Sequence, residues 1–215
     1  MKKSVLISAL VFFGMLAQAQ EFNFGIRGGL NISSLGDYEQ IVGQYEDSEL
    51  EDKLGLYAGL FFQYTFANNF GIESGLFYAM LGGKEKENDY YEAYKVTANP
   101  AYLQLPVSVF YKINLPSDFK IYPALGIYAG YGLGGHLKTE GSIGGEDIGS
   151  KVKYFDDFAE KFDFGGTVGL NVQYKKFILG FHYDHGFIRV NKEKIAYGDN
   201  AYNSNFRCSL SFLLN

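Results

Sequence analysis

One cysteine, no tryptophan, four prolines and three histidines in 215 residues leave several kinds of chemistry without material. Cys208 has no partner within the chain, so no intramolecular disulfide supports the fold. No cysteine follows the apolar segment near the N-terminus, which closes the lipoprotein route. His136, His182 and His185 lack ligand spacing on one face, since His182 and His185 have opposite strand parity. No metal and no cofactor are therefore expected. Basic residues are outnumbered, 19 Lys and Arg against 24 Asp and Glu, which argues against nucleic acid as a partner. Beyond the N-terminal segment no run is long and apolar enough for a transmembrane helix, which needs about 20 residues.

The N-terminal segment has the three regions of a secretory signal. Lys2 and Lys3 supply the positive start, Val5 to Leu16 the apolar stretch, and Ala17-Gln18-Ala19 the small-x-small cleavage pattern. Residues 1–19 are expected to be a signal peptide and 20–215 a single domain, since no linker or composition break divides the rest. Loss of Lys2 and Lys3 moves the formal net charge from −5 to −7.

What the chain has in quantity is glycine (27), tyrosine (18) and phenylalanine (20). They fall into eight alternating stretches joined by turns that are short, then long, in strict succession. The short ones are Ala67-Asn68-Asn69, Asn114 to Asp118 and Lys175-Lys176. The long ones run from Ser33 to Asp52, Lys84 to Asn99, Gly135 to Lys161 and Asn191 to Tyr202. Connections segregated onto two ends in this way predict an all-β fold, an eight-stranded antiparallel up-and-down transmembrane β-barrel.

A period of two assigns the faces. In Leu54 to Phe66 the even positions are apolar or aromatic, and the odd ones carry glycine, glutamine and threonine together with Tyr57 and Phe61. The first stretch puts Phe22, Phe24, Ile26, Leu30 and Ile32 outward and Asn23, Arg27 and Asn31 inward. The third turns Glu73 inward between Gly71 and Gly75. The seventh sets Phe177, Leu179, Phe181 and Tyr183 against Gly180, His182 and Asp184, and the eighth hides Arg207, Ser209 and Ser211. A soluble barrel fills its interior with aliphatic side chains. Here the charges share the small-residue face, which places lipid outside.

Aromatics bracket the short turns at Phe66 and Phe70, Tyr111 and Phe119, and Tyr174 and Phe177, with Phe22, Phe24 and Phe212 beside them at the termini. This is the expected girdle at one membrane interface. Pro106 and Pro123 fall inside strands of a barrel that has no edge, so a bulge or locally broken ladder is expected at each. The 27-residue third long loop has the length to extend its hairpin beyond the membrane.

Three segments carry a family resemblance. Phe24-Gly25-Ile26-Arg27-Gly28-Gly29-Leu30-Asn31 resembles the first strand of the PorT-like outer-membrane β-barrel family of Bacteroidetes. Tyr102-Leu103-Gln104-Leu105-Pro106-Val107 resembles its fourth strand, and Lys161 to Gly165 with Val168-Gly169-Leu170 its sixth. The resemblance covers nearly all of the exported chain. It implies an outer-membrane location and an eight-stranded barrel like the small adhesion- and virulence-type barrels. The namesake is implicated in a secretion and gliding apparatus. The family has no agreed catalytic motif, so it lends no functional residue.

Five inward residues form the candidate lumen network: Arg27, Glu73, His182, Asp184 and Arg207. Buried charges have to be paired, so a balanced network plugging a narrow bore is expected, as a structural feature. A gated polar path, porin-like or for a small hydrophobic ligand, is the alternative. A lipid-modifying enzyme is a third reading. It would use His182 oriented by Asp184 as base and Ser209 or Ser211 as nucleophile, and no His-x-Ser pairing supports it.

The four long loops hold 7, 4, 6 and 2 carboxylates, 19 of the 24 in the chain. The first, from Asp37 to Asp52, has seven and no base, without the ordered spacing of a calcium loop. Tyr38, Tyr45, Tyr90, Tyr91, Tyr94, Tyr154 and Tyr197 are interleaved with them, a composition suited to surface recognition. The expectation is a non-enzymatic outer-membrane protein with both termini periplasmic. Its partners are outer-membrane lipids and extracellular or envelope molecules met through the long loops.

Overall fold

The computed structural model describes residues 21–36, 48–88, 92–143, 146–155, 159–189 and 202–215. The expected signal peptide lies outside them. Among the described residues eleven strands form one antiparallel sheet: β1 (Glu21–Gly36), β2 (Ser48–Thr65), β3 (Phe70–Met80), β4 (Gly83–Asn88), β5 (Glu92–Tyr111), β6 (Ile113–Asn114), β7 (Phe119–Ile143), β8 (Glu146–Lys153), β9 (Phe162–Tyr174), β10 (Phe177–Gly186) and β11 (Tyr202–Leu213). Strand β4 prolongs β3, β6 prolongs β5, and β8 folds back on β7. The remaining eight form a ring, each antiparallel to the next. It closes where β1 meets β11, from Gly25 opposite Leu213 to Gly36 opposite Tyr202. The Asn215 side chain finishes that seam, donating to the Phe22 carbonyl at 2.7 Å and accepting from the Phe24 N–H at 3.0 Å. The fold is the expected eight-stranded up-and-down barrel.

The short connections turn sharply through residues that tolerate the left-handed region. Asn69 (φ 68°), Ser117 (64°), Asp118 (65°) and Lys175 (51°) are the non-glycine residues with positive φ among those described, and all sit in the three short turns. The long connections carry strand well past the barrel wall. Strand β7 is 25 residues long, against the 9–11 or so that cross a bilayer. Its upper part pairs with β8 from His136–Lys153 to Ile143–Glu146, so the third long loop is indeed a protruding hairpin.

Parity sorts the faces as expected. Leu54, Leu60 and Leu125 are each more than 60% exposed, and they belong to a continuous outward apolar band. Such a band suits hydrocarbon and not water. At the short-turn end ring pairs ride on this band: Phe70 with Tyr111 (4.8 Å between centroids), Phe119 with Tyr174 (4.7 Å) and Phe177 with Phe212 (5.2 Å). At the other end Tyr183, Phe187 and Tyr202 each lie in ring contact with His185, a second belt.

Each proline breaks one ladder and leaves the other whole. The β3–β5 ladder passes from Ser74–Val107 to Phe77–Gln104, omitting Gly75–Pro106 and Leu76–Leu105 without a change of register. On its other side Pro106 pairs with Tyr128. Between β5–β6 and β7 the ladder omits Tyr111–Pro123 and Lys112–Tyr122, while Pro123 pairs with Leu170. A missing N–H therefore costs local hydrogen bonds and no bulge. The register shift in the β5–β7 ladder lies elsewhere, between Ala101 and Tyr102, beside Pro100 and opposite Gly132 and Gly134.

The interior departs from a purely small and polar lining. Tyr57, Phe61, Phe77, Tyr102, Phe110 and Tyr122 are all buried. The register explains how they fit, because a glycine stands directly opposite each of several large side chains: Gly25 opposite Phe61, Gly59 opposite Phe77, Gly71 opposite Phe110, and Gly165 opposite Tyr128. A β-carbon at any of these four glycines would enter the facing ring. The inward glycines are slots for rings on the next strand.

Candidate functional site

The five expected network residues reach the lumen from four strands, and the structure sorts them into two ion pairs and a hydrogen bond from His182 to an amide. Arg27 on β1 crosses over β2 to Glu73 on β3, and both are buried. The contact is a two-pronged fork, with Nη1 donating to Oε1 at 2.7 Å and Nη2 to Oε2 at 2.9 Å. Arg27 Nε donates to Ser211 Oγ at 2.8 Å, and Gln63 donates to Glu73 Oε2 at 2.8 Å. With guanidinium and carboxylate both hydrogen-bonded again, the desolvation cost of the pair is offset.

The second pair joins β11 to β10. Arg207 Nη2 donates to Asp184 Oδ1 at 2.9 Å, and Asn205 donates to Oδ2 at 3.2 Å. His182 Nε2 meets Asn171 Oδ1 at 3.1 Å. The imidazole and Asp184 thus have separate partners. Ser211 is the acceptor for Arg27, and the Ser209 hydroxyl donates to the Gly180 carbonyl at 3.5 Å. Base, orienting acid and candidate nucleophiles are each engaged in another contact, which leaves the hydrolytic arrangement unassembled.

Rings connect the two pairs. The Arg27 guanidinium lies 4.5 Å from the Phe61 centroid and 5.7 Å from that of Phe77. Phe77 stacks on Tyr57 at 4.6 Å with 15° between planes, and Arg207 lies 4.5 Å from the Tyr57 centroid. Both guanidiniums therefore face π-clouds as well as carboxylates, and each such contact contributes about 0.5–2 kcal/mol.

Towards the short turns the lumen narrows against Tyr122, which packs on Phe110 at 5.3 Å and receives a hydrogen bond from Gln63 at 3.0 Å. Below it Lys112 donates to Thr65 Oγ1 at 3.0 Å, and the mouth opens into a recess of about 360 Å³ beside Glu21, Lys120 and Asn215. Towards the long loops, Asp163 accepts from Asn203 at 2.9 Å and from the Tyr128 hydroxyl at 3.2 Å. The chain after β8 then turns in over the barrel. Phe155 packs edge-on against Tyr102 at 5.2 Å, Ala159 N–H donates to the Tyr154 carbonyl, and Gly132 N–H donates to that of Lys161.

Tyr154 is fully buried in this inturned segment, which corrects its assignment to a surface of exposed tyrosines. Tyr38, Tyr45, Tyr90, Tyr91 and Tyr197, and residues 37–47 of the acidic loop, lie outside the described residues. The Tyr94 backbone pairs with Glu87 and Gly141. Parity and charge together located the five network residues, and parity also turned Tyr57, Phe61, Gln63 and Asn171 inward. The contacts these make, the stacking of Phe77 on Tyr57 and the Phe155 cap were not foreseen. The facing glycines were the signal for the rings.

A closed ring of strands, an apolar outer face with aromatics at both rims and a polar, ion-paired interior define a transmembrane β-barrel. The particular family follows from the sequence match. Residues 17–191 match the model of the outer membrane protein beta-barrel domain, and the chain belongs to that family. It is an outer-membrane protein. Among solved structures the chain is similar to OprG from Pseudomonas aeruginosa, at 16% identity and a TM-score of 0.46, covering 91% of this chain and 97% of that one. It is also similar to Ail, the attachment invasion locus protein of Yersinia pestis (15%, 0.42, 90% and 99%), and to Neisserial surface protein A (13%, 0.40, 91% and 99%). No curated protein matches the chain.

Proposed function

We propose that this protein is a non-conducting, non-enzymatic outer-membrane barrel that works through its long loops, in surface interaction or envelope organisation. The observation that supports a plugged bore is the stack of paired and packed side chains along the lumen. Two paired arginines, the rings between them and the Phe155 cap occupy successive levels of the lumen. An eight-stranded barrel has room for little beyond its own side chains. With the interior occupied and the outer wall in lipid, the protruding hairpins are the surface left for partners.

In this reading the short turns and both termini face the periplasm, the long loops face outward, and the lipids of the outer membrane are constant partners. No catalytic residue or cofactor is assigned. The strand sequences that resemble the PorT-like family support a place in that branch of the barrels. The loops are tested in cells by cutting the protruding β4–β5 and β7–β8 hairpins back to the barrel rim, replacing residues 85–96 and 137–152 with two-residue turns. Loss of adherence or of envelope integrity, with the barrel still folded in the membrane, is expected. A loopless barrel that keeps every surface phenotype contradicts the reading.

A further inference from the structure

Beyond the lipid-facing band the wall continues as an open antiparallel sheet. Ser48–Asp52 of β2 pairs with β4, β4 with β5, β5 with the upper part of β7, and that part with β8. Unlike the barrel beneath it, this sheet does not close. Among the described residues β8 is paired on one side only, by β7, and Ser48–Asp52 on one side only, by β4. An open edge presents a row of backbone donors and acceptors to any strand that fits it. The two edges differ in charge order. Ser48–Asp52 carries Glu49, Glu51 and Asp52 with no base, a pattern that repels a copy of itself. Strand β8 begins with Glu146 and Asp147 and ends with Lys151 and Lys153.

That order is complementary to itself when the strand is reversed. An antiparallel pair of β8 strands centred on Ser150 puts Asp147 opposite Lys153 and Ile148 opposite Val152. Opposite charges and apolar residues in facing positions each stabilise such a pair. Val152 is 39% exposed although it lies past the lipid-facing band, and Lys151 and Lys153 are exposed on either side of it. Within the hairpin Lys151 faces Lys138 and Lys153 faces His136, and like charges in facing positions oppose pairing. Glu140, held by Lys138 at 2.6 Å, is the carboxylate that β7 supplies there. A reversed copy of β8 brings further carboxylates to the same basic end.

Symmetry determines where that copy stands. The two-fold axis of a self-paired antiparallel strand is normal to the sheet, so the same patch serves both partners. Strand β7 runs unbroken from the barrel wall into the hairpin, and the wall stands upright in its membrane. The axis therefore lies parallel to the membrane and turns the partner upside down. Two barrels in one membrane share one up direction and cannot meet in this way, whereas two in facing membranes can. We infer that the β8 edge is a homotypic adhesion surface, pairing with β8 of a second copy of this chain carried by an opposed membrane. One short strand pair is weak, and many copies on two apposed surfaces multiply it. The inference rests on the proposed reading that the long loops face outward and meet partners, and it names the partner.

The test places the full barrel, one copy to a disc, in phospholipid nanodiscs, whose two faces are both open to solution. Sedimentation reads disc mass as concentration rises. Wild-type discs should pair and double in mass. Lys151→Glu with Lys153→Glu makes the edge acidic throughout, and Glu146→Lys with Asp147→Lys makes it basic throughout. Each of these variants alone should remain single. Mixed in equal amounts, the two should pair as wild type does, and that recovery also shows that both hairpins are folded. Lys175→Glu with Lys176→Glu, at the short-turn end, should leave pairing unchanged. Single wild-type discs at every concentration would overturn the proposal. So would self-pairing by either charge-reversed variant, or a mixture that stays single while heat-dependent gel mobility shows both barrels folded. Disc pairing is read without cells, so its failure and a failure of the loop deletions to change a surface phenotype are separate results.

Discussion

Replacing Glu73 with alanine removes one carboxylate and strands Arg27, which is 5% exposed and donates to both carboxylate oxygens in the native protein. Breaking a buried pair from one side costs about 3–5 kcal/mol, because the remaining charge keeps its desolvation penalty. Ser211 still accepts from Arg27 Nε, and the Phe61 ring still faces the guanidinium, so the lower part of that range is expected. Glu73→Gln keeps the shape and one acceptor and should cost about 1.5–3 kcal/mol, the difference made by a charged hydrogen bond. Arg27→Met with Glu73→Leu removes both charges, and a well-packed apolar replacement is often neutral. That double variant should recover most of the loss. The assay is urea unfolding in short-chain phospholipid vesicles, followed by far-ultraviolet circular dichroism, since the chain has no tryptophan. At a slope of about 2 kcal/mol per molar urea, Glu73→Ala should lower the midpoint by roughly 1.5–2 M. A midpoint equal to wild type, or a double variant as unstable as the single one, would refute the buried-pair account.

The two ion pairs share the Phe77–Tyr57 stack, so removing Glu73 and Asp184 together should deviate from additivity by about 0.5 kcal/mol or more. A double-mutant cycle under the same urea conditions measures it. Asn215→Ala deletes two hydrogen bonds at the β1–β11 seam, one on each side of the amide, and should cost about 1–3 kcal/mol. The midpoint of heat-modified gel mobility reads that loss, and an unchanged midpoint would show that the seam does not need the side chain. Cys208 is exposed on the outer wall between Leu30 and Phe181. It should react with an uncharged membrane-soluble maleimide and resist a sulfonated one in vesicles, and equal labelling by both would place that face in water. Gly59→Val inserts a side chain where the Phe77 ring lies and should destabilise by about 1–3 kcal/mol through overpacking, read as a lower urea midpoint.

The barrel was legible because its two signals are local. Strand parity needs only alternate positions, and turn length needs only the spacing between strands. Both survive in a single sequence, and with them came the inward placement of Arg27, Glu73, His182, Asp184 and Arg207. Which of these touch is a matter of register across several strands. Arg27 reaches Glu73 over β2, and His182 turns to Asn171, neither of which parity can express. The interior rings were obscured for a different reason. Phe77 and Tyr102 look like lipid-facing residues by composition although their parity turns them inward, and the glycine opposite, as Gly59 stands opposite Phe77, shows how the lumen has room for them. The burial of Tyr154 depends on a chain reversal after β8 that no periodicity marks. The prolines show the same limit: Pro106 was recognised as a defect, and the ladder that absorbs it was set by tertiary pairing.

The proposal of a plugged bore is tested most directly by planar-bilayer conductance of the purified, folded protein. The paired arginines, the stacked rings and the Phe155 cap predict no steady ion current at moderate voltage, in wild type or in the loopless barrel. A steady, ohmic current through the wild-type protein would contradict the account and restore the pore.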